Sequence, residues 1–328
     1  TAHEEGVARG RNMFAKEALS GKLEISRENE SFFTECLLCR ACTELCFSAV
    51  KTDEVVLALR RENNRRRGDS PLRRYVFTHL LPDHQRPGRA LRFTSAGRSA
   101  GALKLAQALD VFGWFGGRFR RVDEALSHIP ATFLRDRLHK KASKPLKGKN
   151  VFLFIGCGEN FVFPEVGEAT AGVLKKLGFR VTIADNACCG LPACASGEIE
   201  AAQHLAVKNI DVFADSDALI ITSCSSCASF LKKYPEIIAH HAGDDALVEK
   251  AKGFSSRVRD LTEVLAESAS TISIMQKETS EVVRVTFHDP CHLSRHQRLS
   301  IQARETLRSL SNVDFIEMNE ADWCCGGA

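Results

Sequence analysis

The feature that most limits what this chain can become is a doubled cysteine pattern. Cys157 is followed, after 30 intervening residues, by Cys188-Cys189-Gly190, and Cys291, after 32, by Cys324-Cys325-Gly326. In each copy an apolar run precedes the single cysteine and a second precedes the adjacent pair: 151–155 and 179–183 in the first, 282–287 and 313–317 in the second. Between the runs of the first copy, Val166, Ala169, Thr170, Val173, Leu174 and Leu177 fall on one side of a helix that Gly178 can close. A second amphipathic helix over 199–213 leads to a third apolar run at 218–222, and residues 301–310 read as the helix of the second copy. Strands alternating with helices predict a parallel sheet with crossover helices. The fixed spacing predicts an internal duplication.

The first copy continues to Cys224-Ser-Ser-Cys227. In a parallel sheet its loops would meet at the carboxyl edge, where open α/β folds build their sites. Cys157, Cys188, Cys189, Cys224 and Cys227 exceed the four ligands of an ordinary cubane, which points to an unusual cluster with a bridging thiolate. Gly190 would let the backbone turn sharply beside the paired thiolates. Cys194 reads as a bystander. The second copy supplies Cys291, Cys324 and Cys325 as further cofactor candidates. A Cys-x-x-Cys equivalent would fall beyond Ala328.

A different motif stands upstream: Cys36-Leu-Leu-Cys39-Arg-Ala-Cys42-Thr-Glu-Leu-Cys46. Two-residue gaps let Cys36, Cys39 and Cys42 curl round one 4Fe–4S cubane, while the fourth cysteine serves the other cluster in two-cluster ferredoxins. Cys46 is expected at a helix start, and Phe47 stands where a proline commonly follows. Structural zinc usually takes two separated Cys-x-x-Cys pairs, so four cysteines this close suit a cluster better. If this is half of a two-cluster module, a further ligand would precede Thr1.

Thirteen cysteines in a 328-residue chain without a secretory succession at its start suggest metal rather than disulfides, hence the cytoplasm. No uninterrupted apolar stretch is long enough for a membrane span, and Lys104, Gln107 and Asp110 interrupt the nearest candidate, 100–117. The formal charge of +4 has a local source in seven arginines between Arg60 and Arg74, set against Glu62 and Asp69. Such a run reads as a solvated face or loop, or as a docking surface for an acidic partner. Nothing beside it suggests nucleic acid. No Gly-x-Gly-x-x-Gly follows a strand, so the signature of a dinucleotide site is missing. His288 and His292, flanking Cys291, are candidate proton donors or ligands, against the plainer expectation that both bond backbone or sulfur at a tight turn.

The expected organisation is α+β/α/β. A helical ferredoxin-like domain covers 1–63, with a helix and polar turn over 12–30 and a short helix over 53–63. A helical connector covers 64–147, with a polar linker at 140–149. Duplicated cysteine-rich α/β repeats follow at 148–275 and 276–328. The chain reads as incomplete at both ends.

With these motifs the chain resembles the cysteine-rich-domain iron–sulfur proteins. That family includes the glycolate oxidase iron–sulfur subunit, lactate-utilisation proteins, and subunits of anaerobic glycerol-3-phosphate dehydrogenase and of heterodisulfide reductase. Cys36–Cys46, Cys157, Cys188–Gly190, Cys224–Cys227, His288–His292 and Cys324–Gly326 carry the likeness. Gly10-Arg-Asn-Met13 adds a likeness to the glycolate oxidase type, whereas a complete Cys224-Ser-Ser-Cys227 is more like the glycerol-3-phosphate and heterodisulfide members. The resemblance implies a relay subunit beside a flavin-containing dehydrogenase that oxidises a 2-hydroxy acid. Electrons would pass to a quinone or another carrier, with the protein in the cytoplasm or at the inner face of its membrane. Two rivals stand beside it: a heterodisulfide reductase-like catalyst and a non-redox zinc scaffold.

Overall fold

The computed structural model describes residues 4–68, 70–99, 130, 132–140, 148–239, 244–275 and 281–326. The candidate span 100–117, most of the linker 140–149 and much of the connector lie outside these residues. Among the described residues, no helix is long and apolar enough to cross a membrane.

The N-terminal part is helical. Helix Ala8–Leu19 starts earlier than the expected residue 12, and the polar turn expected before residue 30 follows it. It buries Phe14 and Ala15 against Phe33, Val56 and Leu59. Helix Thr52–Arg67 is longer than the expected 53–63. Asp53 and Glu54 in its first turn and Arg65, Arg66 and Arg67 in its last complement the helix dipole, and Gly68, at φ 71°, ends it. The arginine run is therefore largely the end of a helix, and its members are engaged. Arg65 and Arg66 pair with Glu62, Arg67 with Glu30, and Arg73 with Glu198. The connector's described part includes a π-helical turn, Val76–Leu80, and helices Gln85–Ser99 and Leu134–Lys140.

The main sheet is parallel throughout. Strands β1 (Asn150–Leu153), β2 (Arg180–Ile183), β3 (Leu219–Thr222) and β4 (Val258–Asp260) lie in the order β2-β1-β3-β4. Phe152 is paired with Thr182 on one side and Ile220 on the other. Successive side chains point to opposite faces. Val151 and Ile221 bury with Leu174 and Val264 on one face, and Phe154, Ile220 and Val258 bury with Leu205, Phe213 and Phe254 on the other. Helix Pro164–Lys176 closes at Gly178, φ 86°, as its sequence suggests. β1 stops before the end of its apolar run, so that Phe154 and Ile155 lead into the cysteine loop, whereas β2 and β3 each begin one residue later than theirs and end with them. β4 is an addition to the expected strands, because a three-residue Val-Arg-Asp strand carries no apolar run.

Strands β5 (Val283–Val285) and β6 (Val313–Phe315) form a separate parallel pair. Helices Cys291–Gln297 and Ser300–Arg308 connect them. The first packs against helix Ser225–Leu231 and the second against helix Leu261–Glu267, so the β5–β6 unit sits beside the main sheet's site.

Candidate functional site

The order β2-β1-β3-β4 sends the chain outward in opposite directions from β1 and β3, and open α/β sheets leave a crevice at such a point. The cysteines of the first copy arrive there from three strand ends. Cys157 opens helix Cys157–Phe161 beyond β1, Cys188 and Cys189 lie in the loop beyond β2, and Cys224 caps helix Ser225–Leu231 beyond β3 with Cys227 in its first turn.

Their thiols neighbour one another in the succession Cys157–Cys188–Cys189–Cys227–Cys224. Cys189 is its centre: the neighbouring Cys188 and Cys227 side chains lower its pKa despite its burial. Cys189 and Cys224 in turn raise Cys227, and Cys227 lowers Cys224. Cys157 has solvent-exposed surface, yet neighbouring Cys188, more than burial, raises its pKa. Cys194 stands apart from the succession, its thiol pushed up to about 11 by burial.

The supporting loops are locked by buried polar side chains. Asn209 accepts from Ala187 N and donates to Cys188 O and Tyr234 Oη, and Tyr234 Oη donates to Cys189 O at 2.8 Å. Asn186 donates to Ile155 O and Ala187 O. Gly190 takes φ 97°, and a Cβ there would meet Phe230 at 3.1 Å. Gly156 has an ordinary φ of −73°, but a Cβ on it would reach 3.0 Å from Cys227 Sγ and 3.7 Å from Cys224 Cβ. Buried Glu159 accepts from Ser223 Oγ at 2.5 Å and Gly156 N at 3.4 Å. Burial is the main cause of its raised pKa.

This donor set fits an iron–sulfur cluster: five unbridged thiols from three loops, an adjacent pair at the centre, and a glycine where any side chain would intrude. Among the described residues, no three His, Cys, Asp or Glu side chains converge as the ligands of a single ion would.

The upstream loop is shaped differently. Leu38 and Arg40, on either side of Cys39, take left-handed φ values of 53° and 63°. Neither is glycine, and such conformations cost on the order of 1–3 kcal/mol each unless the surroundings impose them. The surroundings do. Arg40 pairs with Asp53 at 3.4 Å, and Thr43 Oγ1 donates to Asp53 at 2.6 Å. Arg60 donates to Phe33 O, Thr34 O and Cys36 O on the loop side and to Ala195 O on the sheet side. Cys46 is not at a helix start. It lies in the turn between helices Ala41–Glu44 and Thr52–Arg67, where its sulfur accepts from Val50 N at 3.4 Å.

In the second copy, Cys291 begins helix Cys291–Gln297. Burial raises its pKa first, and Cys39 and Cys325 lie near enough to raise it further. The structure thus brings this cysteine towards the upstream loop, a juxtaposition without a sequence signal. Asp289 receives a two-pronged bond from Arg304, 2.8 Å on each oxygen, which fixes the turn before Cys291. Cys324 and Cys325 are exposed, and Gly326 repeats the left-handed turn of Gly190 at φ 73°. His288 bonds Trp323 O at 2.8 Å. His292 bonds Ser229 Oγ at 3.0 Å and stacks on His296, ring centroids 4.3 Å apart. His296 is not among the candidates read from the sequence, although its i, i+4 relation to His292 puts both on one helix face.

The family model described as "Cysteine-rich domain" matches residues 151–232 and 285–328. The "Probable glycolate oxidase iron-sulfur subunit" of Bacillus subtilis is 29% identical over 330 residues, covering 98% of this chain and 72% of that protein. "Lactate utilization protein A" of Geobacillus kaustophilus is 30% identical over 177 residues, 54% of this chain and 71% of that one. A subunit of the fumarate reductase (CoM/CoB) of Methanothermobacter marburgensis is 33% identical over 181 residues, 55% of this chain and 33% of that one. No solved structure matches the chain.

Proposed function

The chain belongs to the cysteine-rich-domain iron–sulfur protein family, and on that premise we propose that it is the iron–sulfur electron-transfer subunit of an oxidoreductase complex. The observation that carries this reading is the meeting of Cys157, Cys188, Cys189, Cys224 and Cys227 from three strand ends at the carboxyl edge of the main sheet. When bound, an iron–sulfur cluster takes up and releases electrons at a potential set by its environment. Cys157, Cys188, Cys189, Cys224 and Cys227 would hold a non-cubane 4Fe–4S cluster. Cys36, Cys39 and Cys42 would hold a cubane, with Cys46 as ligand to it or to a neighbouring cluster. Cys291, Cys324 and Cys325 would serve a second cysteine-rich site.

The protein's own contribution is positional. Gly156 keeps the sulfurs close, Tyr234 and Asn209 fix the carbonyls of Cys188 and Cys189, and the buried loop excludes water. Such surroundings tune a centre by hydrogen bonding and dielectric rather than by direct ligation. The partner would be a flavoprotein, and the names of the Bacillus and Geobacillus relatives support glycolate, lactate or a similar 2-hydroxy acid as the substrate oxidised. The final acceptor is a quinone or another carrier, met in the cytoplasm or at the inner face of its membrane.

A second reading, cleavage of a disulfide at the non-cubane site, draws on the thiol-rich crevice and on the CoM/CoB relative. One experiment separates them. The anaerobically purified protein is assayed for iron and acid-labile sulfide, then mixed with reduced flavoprotein or with a disulfide after dithionite reduction. The relay reading expects iron and spectral bleaching by the flavoprotein, without disulfide turnover. A colourless zinc protein would overturn it.

A further inference from the structure

A cavity of about 600 Å³ lies where the three cysteine sites approach one another, well within the roughly 300–1,000 Å³ of small-molecule pockets. Its walls are largely apolar, with Leu38, Leu57, Leu191, Phe230 and Ile237 among them, and Asp53, Glu54, Arg61, Lys233 and Glu236 add charged groups. Leu38 belongs to the upstream cysteine loop and Leu191 follows Cys189-Gly190, and Cys291, His292 and His296 complete the lining. An occupant would therefore touch segments of all three cysteine sites.

The two histidines set the chemistry. His296 Nε2 lies 3.2 Å from Leu38 O, and a carbonyl only accepts, so that nitrogen carries the proton and Nδ1 keeps its lone pair. Ser229 Oγ donates to Ser226 O at 3.0 Å. It must then accept from His292 Nδ1, which leaves the lone pair on Nε2. Neither lone-pair nitrogen has a partner among the described residues. The cavity thus sets two imidazole acceptors beside a largely apolar, ring-sized wall, with the Lys233 ammonium near both rings.

We propose that this cavity binds the head group of a quinone couple and prefers its reduced form, whose hydroxyls can donate to His292 Nε2 and His296 Nδ1. The proposal rests on the relay reading and names the acceptor and its place. Preference for the reduced form makes the bound quinone easier to reduce, by about 30 mV for each tenfold in affinity for a two-electron couple. That is the direction a relay ending on quinone requires.

The test uses the full, iron-loaded chain held reduced under dithionite. Equilibrium dialysis measures menadiol against its dimethyl ether, which has the same ring and no hydroxyl donors. Menadiol is expected to bind at least tenfold more tightly. His292→Leu should remove most of that difference, and Leu57→Trp, which fills the cavity, should weaken both ligands at unchanged iron content. Equal binding of the two ligands, no binding, or menadiol binding unaffected by both substitutions overturns the assignment. Spectral reduction by the flavoprotein is read in parallel. If it persists while menadiol fails, the cavity assignment falls and the relay stands. If it is lost while menadiol binds, the relay falls instead.

Discussion

Arg60 carries the mechanical link between the upstream cysteine loop and the main sheet, and its removal gives a sharp test of how the sites are held. Its guanidinium makes five hydrogen bonds, 2.5–3.0 Å long, to four carbonyls: Phe33, Thr34, Cys36 and Ala195. Burial lowers its pKa, so its environment is partly dry. Bonds to a charged group contribute about 1.5–3 kcal/mol each, and buried acceptors left without donors cost about 1–3 kcal/mol. Water can replace the donor at Thr34, whose bond is exposed. Arg60→Met, which keeps the stem and loses the fork, should therefore destabilise the chain by about 3–5 kcal/mol, allowing for partial repair. Arg60→Lys offers a point charge in place of a planar fork and should recover less than half of the loss. The assay is urea unfolding of the iron-free chain followed by circular dichroism, with a midpoint shift of about 2 M expected for an m-value near 2 kcal/mol/M. Iron loading at Cys36, Cys39 and Cys42 should fall in parallel. A shift corresponding to less than about 1 kcal/mol would refute the view that these bonds position the loop.

Gly156→Ala should lower iron at the first-copy site, because its Cβ would sit 3.0 Å from Cys227 Sγ. Overpacking of this kind costs about 1–3 kcal/mol. Gly158→Ala, with nothing within 4 Å, is the matched control, and equal iron contents in the two variants would contradict the prediction. Burial pushes His296 down to about 3 and His292 down to about 4. The unfolded chain therefore binds protons more tightly, and stability present above about pH 6.5 is lost as pH falls towards 4. The loss amounts to a few kcal/mol, at about 1.4 kcal/mol for each tenfold difference in proton affinity between the two states. Urea midpoints at pH 7.5 and 5.0 should differ, and His296→Gln, which keeps a donor for Leu38 O, should shrink that difference. An unchanged difference would count against it.

The sequence made the chemistry more legible than the geometry. Parallel strands and cysteine loops could be read because Val151, Leu153 and their neighbours are apolar on both faces of the sheet, and because the cysteines repeat at fixed intervals. Gly190 could be read because a left-handed turn has few other solutions. What escaped was held together by long-range polar contacts. β4 has almost no apolar signature, and the arginine run reads as solvated until Arg60, Arg67 and Arg73 find their acceptors. The approach of Cys291 to Cys39 depends on how two units pack, which no local pattern encodes. His296 could have been found from the i, i+4 spacing alone.

The two kinds of cysteine site also differ in how much chain they enclose, and this bears on the order of assembly. Cys36 to Cys46 is a short local loop, so it can gather round a metal centre before the rest of the chain is organised. Cys157 to Cys227 encloses roughly sevenfold more chain, an added closure cost of about 1.7 kcal/mol for a flexible chain. Its thiols come together only once β1, β2 and β3 have paired. A centre bound by the first-copy cysteines would therefore enter a crevice the sheet has already formed, whereas one bound by the upstream loop could be taken up on a nascent chain.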